Sequence, residues 1–244
     1  MCERCRKDLL QPPVVSRRAL CLFAISSAGL LLAEKAGAKE KKTPPKPQNV
    51  LSPDASLDRL LEGNSRYVKG VTRRQDFKAE REALAGGQNP YAAVLSCADS
   101  RIAPEYAFDS GRGDLFVCRV AGNFASDEMI ASLEYAVAVL GTPLILVLGH
   151  DSCGAVDATI KSLKDDKPLP GHIPSLAAAI APAVKAVLPK GEDTLKNAIR
   201  QNVIDNVAKL KSATPILSAA VEQNKLKVVG GIYRLKNGKV EMVD

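Results

Sequence analysis

Apolar and polar positions change period several times along the chain, and the changes mark out elements. "SLDRLLEGNSRYVKG" places Leu57, Leu60, Leu61 and Tyr67 at helical spacing, so a helix opens the folded body. A second helical stretch covers roughly Phe77 to Leu84 and stops at Gly86-Gly87. Three short runs beyond it, "YAAVLS", "DLFVCRV" and "TPLILVLG", are apolar almost throughout, the pattern of parallel strands buried on both faces. "SDEMIASLEYAVAVLG", between the last two, predicts a helix capped by Ser126. Residues 174–223 predict two or three further helices, and "KLKVVGGIYRL" and "KVEMVD" predict closing strands. No repeat is visible. Alternation of this kind predicts an α/β domain, an open and mostly parallel β-sheet flanked by helices.

The N-terminal residues follow another pattern. Arg17-Arg18 precede a mostly apolar run, Ala19 to Ala33, and Ala36-Gly37-Ala38 supplies a small-residue cleavage pattern. Residues 1–38 therefore predict an export signal, and the paired arginines resemble a twin-arginine signal, with the Sec route as the alternative. The expected destination is the bacterial periplasm. The run is short for a membrane span, which needs about 20 apolar residues. Glu134, Gly141 and Pro143 likewise interrupt the apolar stretch from Met129 to His150, so no stable membrane span is expected. Residues 39–53 form a charged, proline-rich linker, which leaves 54–244 as the folded domain.

Charge narrows the partners. The net charge of +7 suggests nucleic acid at first sight. Residues 1–38 carry six basic against three acidic side chains, and residues 39–53 four against one, which leaves 24 against 23 from Asp54 onward. The basicity belongs to the leader and linker, so a nucleic-acid face is not expected on the folded body.

The first and third buried strands end on reactive groups. "VLSCADSRIAPE" carries Cys97, Asp99 and Arg101, and "LVLGHDSCGAV" carries His150 and Cys153. In an open parallel sheet, the carboxyl ends of neighbouring strands share a crevice. If these two strands are neighbours, two thiols and an imidazole meet. Two Cys and one His with a fourth place open make a catalytic zinc set, because a structural site would close with a fourth protein ligand. The spacing alone suits many folds. Of the other cysteines, Cys118 sits mid-strand and reads as a small core residue, and Cys2, Cys5 and Cys21 fall in the leader. His172 reads as a surface-loop histidine.

Together, "CADSR", "DLFVCRVAGN", "SLEYAV" and "GHDSCGA" resemble the β-class carbonic anhydrases, over a span from about Leu57 to the C terminus. The resemblance implies reversible hydration of CO2 to bicarbonate and a proton by attack of a zinc-bound hydroxide. It implies one Zn2+ per chain on Cys97, His150 and Cys153, with Asp99 and Arg101 as the catalytic dyad and Gly154 beside the substrate. It further implies a homodimer or dimer-based higher oligomer whose N-terminal helices pack on the partner. The plant-type branch lines its substrate pocket with a Gln nine residues before the first Cys ligand, a Phe nineteen after it and a Tyr fifteen before the His. Gln88, Phe116 and Tyr135 stand at those positions.

Some members of the family close the site by placing the carboxylate on the metal, which makes Asp99 a conditional fourth ligand. That branch uses a tryptophan, and this chain has none. The open branch is expected instead, with Arg101 holding Asp99 off the metal. Alternatives are a carbon disulfide or carbonyl sulfide hydrolase on the same fold, or a non-catalytic zinc- or bicarbonate-binding module. A thiol-redox protein would want a C-x-x-C in the mature domain, where there is none.

Overall fold

Ser52 marks where the linker gives way to the folded body. Its hydroxyl accepts a hydrogen bond from the Ala55 amide, and Pro53 takes the first helical position, where a missing N–H costs nothing. The computed structural model describes residues 50–188, 191 and 193–243. The expected export signal and most of the linker lie outside these residues. The chain divides into two units, Met1–Lys41 and Lys42–Asp244, and every described residue belongs to the second. No helix among the described residues is long and apolar enough to cross a membrane.

Eight helices and five strands follow one another in the described residues. Helices α1 (Pro53–Val68) and α2 (Phe77–Leu84) come first, then strand β1 (Ala92–Ser96) and a short α3 (Pro104–Ala107). Strand β2 (Leu115–Arg119), helix α4 (Asp127–Ala138), strand β3 (Leu144–His150) and helix α5 (Gly154–Asp165) make the middle of the domain. Helices α6 (Ile173–Val187), α7 (Thr194–Lys211) and α8 (Ile216–Glu222) precede the closing strands β4 (Lys227–Tyr233) and β5 (Val240–Val243). The helical pattern over residues 174–223 thus resolves into three helices. The hydrophobic pattern as read above foreshadows neither α5 nor the single-turn α3, whose four residues hold too little periodicity.

The sheet order is β2-β1-β3-β4-β5, with the first four strands parallel and β5 antiparallel at one edge. Every residue of β1 and of β3 is buried, as continuous apolar strands covered on both faces must be. Alternation splits their side chains between two cores. Ala93, Leu95, Ile145 and Val147 face one core, with Val156, Ile180, Val184 and Val203 from α5, α6 and α7. Ala92, Val94, Leu144, Leu146 and Leu148 face the other, with Leu60 of α1 and Ala107 of α3.

One buried side chain ties the second layer together. Asn64 of α1 is 4 % exposed, and its Nδ2 donates to the carbonyls of Ala107 at 2.9 Å and Gly238 at 2.8 Å. Its Oδ1 accepts from the Val240 amide at 2.9 Å. Helix α1, helix α3 and the β4–β5 connection are thus held by one amide whose loss would orphan three buried backbone groups. Asn64→Leu is expected to lower the unfolding free energy by about 3 kcal/mol, read from urea denaturation, because an unsatisfied buried group costs about 1–3 kcal/mol. A variant as stable as the wild type would contradict this account.

Candidate metal centre

In the order β2-β1-β3, the chain leaves β1 toward one side of the sheet and β3 toward the other, so their carboxyl ends flank a switch point where a crevice opens. Cys97 follows the last residue of β1, His150 ends β3, and Cys153 caps α5. The two strands pair directly, with Ser96 opposite Leu148. This pairing brings Cys97 Sγ, a nitrogen of His150 and Cys153 Sγ within 4.8 Å of one another, all three residues buried.

The donor set fits a metal ion. The sulfurs lie 4.0 Å apart, far beyond a disulfide bond and close to the separation of about 3.8 Å for two thiolates on one tetrahedral zinc. His150 places Nδ1 2.8 Å from the Asp151 carbonyl, which can only accept, so Nδ1 carries the proton and the Nε2 lone pair is free. Nε2 is buried and has no hydrogen-bond partner, an orphan that a cation would satisfy.

Anionic neighbours complete the argument. The hydrogen bond from Cys153 pushes the Cys97 thiol down to about 4, against its burial and helped by His150 and the amides of Gly122 and Asp99. The Cys153 thiol moves the other way, raised by the same hydrogen bond, by burial and by the Cys97 charge. Burial pushes His150 down, but the Cys97 thiolate, the Asp151 carbonyl and the Asp99 carboxylate outweigh it and raise its pKa. The cluster attracts positive charge, and an ion that takes it must displace a proton, so its affinity weakens as pH is lowered.

Asp99 and Arg101 stand beside this cluster. Arg101 grips the carboxylate with its backbone amide and Nε on Oδ1, both at 2.9 Å, and with Nη2 on Oδ2 at 2.7 Å. Its Nη2 also reaches the Ser152 carbonyl at 3.4 Å. The Arg101 guanidinium holds the Asp99 carboxyl well below the usual carboxylate range, against the desolvation that burial imposes. Asp99 Oδ2 lies 3.8 Å from His150 Nε2, so this ionised oxygen borders the place where the free lone pair points.

The remaining pocket candidates are placed less closely. Phe116 on β2 and Tyr135 on α4 adjoin one another, ring centroids 6.4 Å apart, with Tyr135 about half exposed. Gln88 is exposed in the connection between α2 and β1. Gly154 is the first residue of α5. Cys118 is buried in the core on β2, and burial raises its thiol. His172 is exposed at the start of α6.

Sequence reasoning passed over several supports. Arg119 donates through Nε to the Cys97 carbonyl at 3.0 Å and through Nη2 to those of Asp99 at 2.7 Å and Ile102 at 2.8 Å. Three carbonyls on one guanidinium give the Cys97–Ile102 loop its shape. Arg234 holds Asp151 Oδ1 at 2.7 Å and so steadies the segment after His150. An arginine in the otherwise apolar "LFVCRV" was the available signal for the first, and nothing local pointed to the second.

Comparison with known proteins agrees with this geometry. A family model described as carbonic anhydrase matches residues 92–240. The chain is similar to carbonic anhydrase 2 of Mycobacterium tuberculosis, 37% identical over 194 residues that cover 79% of this chain and 94% of the relative. It is 36% identical to a carbonic anhydrase of Mycolicibacterium smegmatis over 192 residues, covering 78% and 93%. Among solved structures, the β-carbonic anhydrase CcaA aligns with TM-score 0.60 and 27% identity, covering 77% of this chain and 95% of that one. The Coccomyxa β-carbonic anhydrase, solved with acetazolamide, gives TM-score 0.60 and 27% identity over 76% and 85%.

Cys153→Ser is expected to lose bound zinc, measured by metal analysis after dialysis, whereas Cys118→Ser retains it. Full occupancy in Cys153→Ser would remove that residue from the ligand set.

Proposed function

The chain belongs to the β-class carbonic anhydrase family, and from that premise we propose that it interconverts CO2 and bicarbonate at a zinc ion held by Cys97, His150 and Cys153. The observation that carries this reading is the meeting of two thiols and an unpartnered imidazole nitrogen with an ionised carboxylate 3.8 Å from that nitrogen. Zinc held there supplies Lewis acidity, which makes water a nucleophile near neutral pH.

The chain's own residues do the orienting. Asp99 accepts a hydrogen bond from the attacking oxygen and turns its lone pair toward the carbon of CO2. Arg101 keeps Asp99 ionised and occupies both carboxylate oxygens, which opposes a swing of the carboxylate toward the ligand cluster. Phe116 and Tyr135 supply an apolar wall for CO2, Gln88 polarises one of its oxygens, and Gly154 leaves room beside Cys153. Addition of water's oxygen to the carbon yields bicarbonate, and the proton released passes to solvent.

A second copy of the chain is part of the proposal. Among the described residues β2 pairs only with β1, which leaves a sheet edge, and α2 buries none of its residues. Phe77 and Tyr106, 61% and 76% exposed, are apolar surface that a partner would cover. The leader adds export to the periplasm. Protein recovered from a periplasmic fraction is expected to begin at Lys39 and to sediment as a dimer or a multiple of one. A Met1 N terminus overturns cleavage, and a monomer overturns the pairing.

Stopped-flow CO2 hydration by the zinc-loaded chain, against a chelator-treated control, tests the activity. Asp99→Asn is expected to keep its metal and lose about 10²–10⁴-fold in kcat/KM, the worth of a positioned proton-handling group. Because Asp99 is held low, its ion pair with Arg101 is intact above the usual carboxylate range and is lost only as pH falls through the lowered value. Arg101→Met should raise the Asp99 pKa toward the ordinary range, followed by carboxyl-carbon NMR. An unmoved Asp99 titration would detach the two residues.

A further inference from the structure

Helix α7 buries an amide ladder where its neighbours are aliphatic. Ala198, Ile199, Val203 and Leu210 give it an apolar face, yet Asn202 and Asn206 lie on that face, 2% and 7% exposed. A buried amide is costly unless each of its groups is used. Here they are. Asn206 Nδ2 donates to the Asn202 carbonyl at 2.7 Å and to Asn202 Oδ1 at 3.2 Å, while Asn206 Oδ1 accepts from the Ala125 amide at 2.7 Å. Lys209 Nζ donates to the Ala125 carbonyl at 2.7 Å. Asn202 Nδ2 donates to the Gly122 carbonyl at 2.8 Å.

Gly122 is also the residue whose amide donates to Cys97 Sγ, at 3.3 Å. It sits third in the turn Val120–Asn123, closed by the Asn123 amide on the Val120 carbonyl at 2.9 Å. Its φ of +86° makes this a type II turn. A Cβ there would also approach Ile180 Cδ1 within 2.4 Å, so position and conformation both require glycine. The peptide between Gly122 and Asn123 is therefore gripped at both ends, its N–H by Val120 and its C=O by Asn202. With that plane held and the turn closed, the Gly122 N–H is directed onto the sulfur.

We infer that Asn202 is a positioning residue for the Cys97 ligand, acting through the Gly122 amide. The inference rests on the metal reading above. An N–H donated to a thiolate withdraws electron density from sulfur, so Asn202 tunes how strongly Cys97 donates to the ion as well as where it sits. No part of Asn202 needs to touch substrate for this.

The test compares Asn202→Leu, which keeps the volume and removes the donor, with Leu210→Ala, a core truncation on the same helix. Zinc affinity is measured by chelator competition, and the sulfur-to-metal charge-transfer band is recorded with cobalt(II) in place of zinc. Asn202→Leu is expected to weaken zinc binding by about 10–100-fold and to move the band to longer wavelength, as sulfur becomes more electron-rich. Leu210→Ala should leave both at wild-type values. Equal changes in the two variants, or none in Asn202→Leu, overturn the inference. Should Asn202→Leu not fold, the wild type loaded with cadmium-113 decides. A through-bond coupling between cadmium and the Gly122 amide proton is expected, and its absence overturns the role. A wild type that binds no zinc overturns the metal reading together with the inference. Stoichiometric zinc without the coupling overturns the inference alone.

Discussion

The parallel pairing of β1 with β3 is the constraint on which the centre depends. Both strands are buried on both faces, so their register is enforced by two cores at once. Sliding one strand by a single residue would send each of its side chains to the opposite core. With Ser96 opposite Leu148, Cys97 follows the alternation of Ala93 and Leu95 into the core that also holds Cys153. The reactive groups need no long-range steering of their own. They stand at the ends of strands whose positions the apolar residues have already decided.

What is added around those strand ends is polar and specific. The carbonyls of Cys97, Asp99 and Ile102 go to Arg119, the His150 ring goes to the Asp151 carbonyl, and Asp151 goes to Arg234. The Asp99 carbonyl also accepts from the Ile102 amide at 3.1 Å and the Cys97 carbonyl from Ser96 Oγ at 3.3 Å, so the groups near the crevice are held from more than one side. Satisfying them removes alternatives for the loops after β1 and β3. Close packing does the same from behind. A Cβ on Gly149 would come within 2.7 Å of Val203 Cγ2, so α7 lies directly against the end of β3.

The cluster itself runs against simple stability. Two buried thiols, one favouring the thiolate, and an imidazole with an unpartnered nitrogen would be better replaced by aliphatic residues if folding were the only demand. Asp99 and Arg101 differ. An ion pair with one exposed and one half-buried partner contributes little to folding, and its importance lies in its position beside the cluster.

Much of this was legible in the linear chain. The continuous apolar runs of β1 and β3 reported burial on both faces, and helical spacing reported α1, α2 and α4, because periodicity is a local property of residues in sequence. The Cys97–Asp99–Arg101 and His150–Cys153 groups were visible because both follow such strands directly. That β1 and β3 are neighbours was conditional in the sequence, since His150 lies 53 positions after Cys97 and a strand does not name its partner. Only the tertiary structure decided the sheet order, which carries the switch point. It also decided the distant supports, Asn202 for the Gly122 turn and Arg234 for Asp151, since hydrogen bonds between residues about 80 apart leave no periodic trace in either segment. A residue's type and its near neighbours predict its element, but its partner across the fold is set by the packing of every element between them.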